Sequence, residues 1–198
     1  MGIVHQLSPH VANCIAAGEV VKNPASVVKE LCENAIDAHA TEIAVSIRGG
    51  GIRELTVADN GCGMGEDDAV LCFGRHATSK LRSEEDLSGI GTLGFRGEAL
   101  AAISAVARVT LETCEAGAEC GTRVVRAYGE NLEQGDAVRA PGTTFTVEEL
   151  FRNTPARMKF LRSDAAEGAA VAATVGRLAL SHPEIRFSMT RDTRVVFE

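Results

Sequence analysis

Apolar and polar positions alternate with two different periods along this chain, and each change of period marks a new element. Near the start, Val11, Ile15 and Ala16 follow Ser8-Pro9, an N-cap and a first-turn proline, which predicts a helix stopped by Gly18. Asn23-Pro24 opens a second helix in the same way, with Val28, Leu31, Cys32 and Ala35 lining one face at the helical period. The period then drops to two. Ile43, Val45 and Ile47 alternate with polar residues, Gly49-Gly50-Gly51 turns the chain, and Leu55 and Val57 alternate again, a β-hairpin pattern.

Asp59 to Met64 reads as a glycine-broken loop, after which Glu66, Asp67 and Asp68 crowd the start of a short helix ending at Gly74, where the helix dipole favours negative charge. From Arg75 to Gly97 no period survives. A stretch this polar and broken is not core, and long loops of this kind carry function or move. Glu98 to Val106 predicts a helix, followed by strands around 109–113, 122–128 and 143–147. A short basic helix near 156–161 and a long Ala-rich helix from Asp164 to Ser181 come next. Ile185 to Met189 and Thr193 to Phe197 form a last hairpin about Arg191-Asp192. This irregular mixture predicts an α+β fold in two layers, a mixed sheet covered on one face by helices.

Size and composition narrow the class. The 198 residues suit one domain with one core. The 20 Lys and Arg against 27 Asp and Glu leave a net charge of −7, so general attraction to nucleic acid is not expected. No apolar run approaches the ~18 residues that cross a bilayer, and Met1-Gly2-Ile3-Val4-His5 has neither the basic start nor the apolar core of a secretory signal, which predicts an intracellular protein without membrane contact. The six cysteines form no C-x-x-C pair and read as reduced thiols.

Several segments offer chemistry. Glu30, Asn34 and Asp37 are spaced i, i+4 and i+7 on the second helix, within about 60° of one another and nearly opposite the apolar arc. The stripe is either a solvated face or a carboxylate that takes a proton from water beside an amide oxygen suited to an Mg²⁺ shell. Asp59-Asn60-Gly61-Cys62-Gly63-Met64 is either an Asx turn or a site where a carboxylate accepts from an exocyclic amine while glycines admit a flat ring. Gly89, Gly91 and Gly94 spell G-x-G-x-x-G, but no strand precedes them, and no G-x-x-x-x-G-K-[ST] occurs, so neither a Rossmann site nor a P-loop is expected. Gly94-Phe95-Arg96-Gly97-Glu98 runs straight into a helix, where free amides cradle phosphate, and Thr78-Ser79-Lys80 adds hydroxyls and a cation; a plain glycine-rich surface loop is the other reading. Arg152, Arg157, Lys159 and Arg162 form a basic run that is either a solvated helix face or a contact for DNA phosphates.

Together these segments resemble one family. Ile15 to Val21, Pro24 to Leu31, Glu33-Asn34, Asp37-Ala38, Asp59 to Gly63, Arg75 to Lys80, Gly94 to Leu100 and Asn153 to Arg157 are similar to the MutL family of DNA mismatch-repair proteins, over residues 11 to 161. The resemblance implies the ATP-binding (Bergerat, or GHKL) fold shared with gyrase B, Hsp90 and histidine kinases, filling residues 1–198. Glu30 is then the general base for the hydrolytic water, Asn34 the Mg²⁺ ligand and Asp59 the adenine-amine acceptor. Asp37, Ala38, Asn60, Gly63, Met64 and Thr143 join the ATP site, and Thr78, Ser79, Lys80, Gly94, Phe95, Arg96, Gly97, Glu98, Ala99 and Leu100 form a lid over the phosphates. His39 stands where the family has glycine after Asp-Ala, and Arg152 where it has an aromatic residue. The resemblance further implies slow, Mg²⁺-dependent ATP hydrolysis, impaired without a second subdomain and a C-terminal dimerisation domain. It implies lid ordering by ATP, ATP-dependent homodimerisation in the full-length protein, and partners comprising a MutS-type mismatch sensor, DNA, and a downstream nuclease and helicase. The location is the bacterial cytoplasm at the nucleoid, or the nucleus in a eukaryote. A non-enzymatic ATP-gated interaction module and another Bergerat ATPase, topoisomerase-like or Hsp90-like, are the alternatives.

Overall fold

The computed structural model describes residue 15 and residues 17–78 and 97–198. Helices α1 (Pro24–Asp37), α2 (Glu66–Leu71), α3 (Ala99–Val106), α4 (Pro155–Met158) and α5 (Asp164–Ser181) accompany strands β1 (Glu42–Arg48), β2 (Glu54–Asp59), β3 (Arg108–Cys114), β4 (Gly121–Ala127), β5 (Glu130–Ala137), β6 (Gly142–Glu148), β7 (Arg186–Arg191) and β8 (Arg194–Phe197). The strands make one sheet in the order β5-β4-β3-β6-β2-β1-β7-β8. β1 and β7 run parallel and every other neighbouring pair is antiparallel, so the sheet is mixed.

Period-two patterning decides which side of this sheet is dry. Ile43, Val45, Ile47, Leu55, Val57, Val109, Leu111, Phe145 and Val147 all point to one face and are buried. Val27, Val28, Leu31, Cys32 and Ala35 of α1 and Val171 and Val175 of α5 enter the same core. The alternate positions, among them Thr56, Thr110, Thr144 and Thr146, lie on the face that carries no helix among the described residues, where the Thr56 and Thr146 hydroxyls meet at 3.4 Å. Each fully buried aliphatic side chain contributes roughly 1.5–3 kcal/mol, so the helix-covered layer supplies the driving force and the threonine face does not.

Local chemistry sets the ends of α1. Asn23 and Ser26 form a reciprocal capping box: the Ser26 amide donates to Asn23 Oδ1 at 2.9 Å, and the Asn23 amide donates to Ser26 Oγ at 3.2 Å. At the other end His39 adopts φ +58°. Its amide donates to Ile36 O at 2.9 Å and the Ala40 amide to Ala35 O at 3.1 Å, a Schellman closure with histidine in the left-handed position that glycine ordinarily fills.

Three readings of the chain change. Residues 17–20 are helical and Val21 donates to Ala17 O, so Gly18 lies inside the first helix and does not stop it; the start of that helix falls outside the described residues. The basic helix is a single turn, Pro155–Met158. β5 is a strand that hydrophobic periodicity did not reveal, because residues 130–136 are exposed on an outer edge and pair only with β4.

Candidate functional site

The last pair of the β2–β6 ladder, Asp59 opposite Thr143, lies at the centre of the site. Asp59 Oδ1 accepts the Gly61 amide at 2.9 Å, the Asx turn the residue order allows, and also the Thr143 amide at 3.2 Å from the neighbouring strand. Both amides fall on one oxygen. Burial pushes the Asp59 carboxyl above its ordinary range, while the Gly61 and Thr143 amides and the Arg139 guanidinium hold it back.

The loop after Asp59 is tied to its surroundings on three sides. The Cys62 amide caps α1 by donating to Ala38 O at 3.0 Å, which places the end of the Glu30, Asn34, Asp37 helix against the glycine loop. Gly63 has φ +70° and passes so close to β3 that an added Cβ would lie 1.9 Å from Cys114 O, so no side chain fits there. The Met64 amide donates to Thr113 Oγ1 at 2.9 Å. Thr113, fully buried, in turn donates to Gly142 O at 3.2 Å and meets the Thr143 hydroxyl at 3.1 Å. A continuous polar chain therefore joins Met64, Thr113, Thr143 and Asp59 across β2, β6 and β3.

Glu30, Asn34 and Asp37 are half-buried, not a fully solvated stripe, and they project from the helix whose C-terminal carbonyl holds the loop. Glu30 to Asn34 spans about one turn, ~6 Å of rise. Cys32, facing the core on the same helix, is held as a neutral thiol: burial pushes it up to about 12, and the nearby Glu33 and Asp59 charges add to this. Among the described residues the cysteines are all free, and no three His, Cys, Asp or Glu side chains are grouped to hold a metal.

The Asn60 side chain is engaged with the start of β1. Its Oδ1 accepts the Thr41 and Glu42 amides, both at 2.9 Å, and its Nδ2 donates to Thr41 Oγ1 at 2.9 Å, so its side chain closes the start of β1 and faces away from Asp59. At the mouth of the irregular stretch, Gly97 packs on Ala77, and His76 Nδ1 lies 3.5 Å from Glu98 Oε1. Thr78, Glu98, Ala99 and Leu100 are gathered at that base in half-buried positions, whereas Ser79, Lys80, Gly94, Phe95 and Arg96 lie outside the described residues.

The arginines of the basic run are partnered, while Arg152, Lys159 and Arg162 stay exposed. Arg152 pairs with Glu149, and the Arg162 side chain pairs with the buried Glu167 at 3.0 Å. Arg157 donates to Val21 O at 3.2 Å with its guanidinium 5.8 Å from the centre of the Phe151 ring. Three of the four cations thus have partners within the fold. Thr113 and Arg139 were not among the expected site residues. Thr113 left a signal, a hydroxyl in phase with the core-facing Val109 and Leu111; Arg139 left none.

Residues 22–151 match the family model described as histidine kinase-, DNA gyrase B- and HSP90-like ATPase. The chain is 51% identical over 197 residues to DNA mismatch repair protein MutL of Heliobacterium modesticaldum and 52% identical over 198 residues to that of Staphylococcus carnosus, in each case covering 100% of this chain and 30% of the relative. It therefore spans about a third of the length of the curated relatives it matches. The Aquifex aeolicus MutL ATPase domain complexed with ADP superposes with a TM-score of 0.71 at 29% identity, covering 90% of this chain and 63% of that one. No helix among the described residues is long and apolar enough to cross a membrane. With the family model matched over residues 22–151 and the fold in agreement, the chain belongs to the histidine kinase-, DNA gyrase B- and HSP90-like ATPase family, and over its full length it is similar to MutL.

Proposed function

We propose that this chain is the ATP-binding and ATP-hydrolysing module of a DNA mismatch-repair protein, with adenine chosen by Asp59. The observation that carries this is the Asp59 carboxylate itself, half-buried at a strand end, with two backbone amides on Oδ1. Oδ2 is left to accept the exocyclic amine of adenine, and a carboxylate there repels the 6-oxo group of guanine. Thr143, Gly63 and Met64 form the wall on which the base rests, with Asp37 and Ala38 at its edge.

Glu30 acts as general base: its carboxylate takes a proton from the water that attacks the γ-phosphate. The amide oxygen of Asn34 is a hard donor of the kind Mg²⁺ accepts, so Asn34 would hold the ion, which would supply charge neutralisation at the nucleotide phosphates. Thr78 to Leu100, including Ser79, Lys80, Gly94, Phe95, Arg96, Gly97, Glu98 and Ala99, closes over the phosphates. Nucleotide favours the closed state by its differential contacts, and the ordered lid supplies a surface for a second copy in the full-length protein. The reading extends to a second subdomain, a C-terminal dimerisation domain, and work with a MutS-type sensor, DNA, and a nuclease and helicase; what supports it is the similarity to DNA mismatch repair protein MutL, of which this chain covers 30%. DNA contact is not assigned to Arg152, Arg157 or Arg162, whose side chains are engaged within the fold.

Calorimetry of ATP binding with and without Mg²⁺ tests this reading. Saturable heat that strengthens with Mg²⁺ is expected, and absence of heat in both conditions overturns it.

A further inference from the structure

The Asp59 carboxylate and the Arg139 guanidinium lie on opposite faces of β2. The side chain of Asp59 is in phase with Leu55 and Val57 and points to the helix-covered layer, whereas Arg139 lies beside Thr144, which is in phase with Thr146 on the bare face. From there one guanidinium stitches three neighbouring strands. Nη1 donates to Glu112 O of β3 at 2.6 Å and to Thr144 Oγ1 of β6 at 3.3 Å, Nη2 donates to Asp59 O of β2 at 3.2 Å, and Nε donates to Ala140 O at 2.9 Å. The Asp59 carbonyl is also approached by Gly142, whose φ is +123° and where an added Cβ would lie 2.2 Å from that oxygen. The Asp59 peptide is thus pinned from both sides at the point where the β2–β6 ladder ends.

We propose that Arg139 is the positioning residue of the adenine subsite, fixing the Asp59 backbone from behind the sheet and so setting the direction in which the carboxylate meets the base. The proposal rests on the reading of Asp59 as the amine acceptor. A carbonyl and a side chain share one Cα, so a carbonyl held in place also holds the Cα–Cβ bond, and a planar fork of fixed donors does this where a lysine point charge cannot. Arg139 does not touch the nucleotide; it acts through Asp59, and its effect is on selection among bases.

The test is the ratio of ADP to GDP dissociation constants, measured by calorimetry on the full chain and on its Arg139→Ala and Arg139→Lys variants. The parent favours ADP. Arg139→Ala weakens ADP by about tenfold with GDP little changed, so the ratio narrows. Arg139→Lys keeps the charge without the fork and narrows it as well, and it serves if the alanine protein does not fold. Partial unfolding weakens both nucleotides alike and leaves the ratio in place, so a merely structural role does not move this readout. Parental ratios in the variants overturn the proposal, as does full recovery by lysine. A parent that binds neither nucleotide, or both equally, overturns the Asp59 reading and this one with it.

Discussion

The Thr143 amide donates at 3.2 Å to the carboxylate of Asp59, its partner in the β2–β6 ladder, so the cross-strand neighbour braces the acidic side chain at the start of the glycine loop. The same oxygen takes the Gly61 amide at 2.9 Å. The brace costs the fold something, because the carboxylate it holds is removed from water.

Asp59→Asn separates stability from binding. Burial raises the folded-state pKa of Asp59, so the folded protein favours the protonated form and loses stability as pH rises above the ordinary carboxylate range. Asparagine is neutral, and its Oδ1 still accepts the Gly61 and Thr143 amides. At pH 7 the variant unfolds at a higher temperature than the parent by calorimetric scanning, while its ADP affinity falls by about tenfold or more. A lower unfolding temperature would show that the ionised form stabilises the fold.

Glu30→Ala leaves nucleotide binding in place and removes turnover. A positioned general base contributes about 10²–10⁴-fold, so phosphate release by the full-length protein drops by at least about a hundredfold. Undiminished release removes Glu30 from the role. Full mismatch-repair activity in cells carrying the turnover-deficient protein would instead favour a module in which ATP binding alone is the signal.

His39→Gly stabilises the domain. His39 holds φ +58° at the α1 terminus, a conformation that strains an L-residue and not glycine. Relief of that strain outweighs the added freedom of glycine in the unfolded chain, for a net gain of about 0.5–1 kcal/mol. In a domain of this size the unfolding temperature rises by about 1–4 °C. An unchanged or lower value would mean the Schellman hydrogen bonds do not depend on the residue at that position.

Glu167 makes part of the stability pH-dependent. It is 2% exposed; burial pushes its carboxyl up, but the hydrogen bonds and charge of Arg162 outweigh this and hold it below the ordinary range. A depressed folded-state value means the native protein binds fewer protons than the unfolded chain. The contribution is present above the ordinary carboxylate range and is lost as pH falls through it. Denaturant unfolding of Glu167→Gln shows lower stability than the parent at pH 7 and a shallower loss between about pH 5 and pH 3. Parallel pH profiles for the two proteins contradict the assignment.

Residue order carried much of the fold. The Asn23 cap of α1, the β1–β2 hairpin, the extent of α5 and the closing β7–β8 hairpin follow from contacts within a few residues, and there the pattern and the structure agree. β5 was hidden because an edge strand with solvent on its outer side needs no apolar alternation. Asn60 is expected at the ATP site by resemblance alone; its side-chain hydrogen bonds to Thr41 and Glu42 depend on the approach of β1, which the local pattern does not specify. The basic run leaves a solvated helix face and a DNA contact both open in the sequence, since its arginines meet Glu149, Glu167 and Phe151 only after folding.

What the chain order determined by itself is most of the elements, β5 excepted, the Glu30, Asn34, Asp37 stripe and the Asp59 turn, because caps, periods and turn chemistry act over one or two turns of backbone. What only the folded molecule decided is how Asp59 is held. Thr143 lies 84 residues away in the chain, and Thr113 and Arg139 join it only because β6 runs between β2 and β3. Strand order is set by how the apolar faces are buried together, a property of the whole core that no short window of sequence contains.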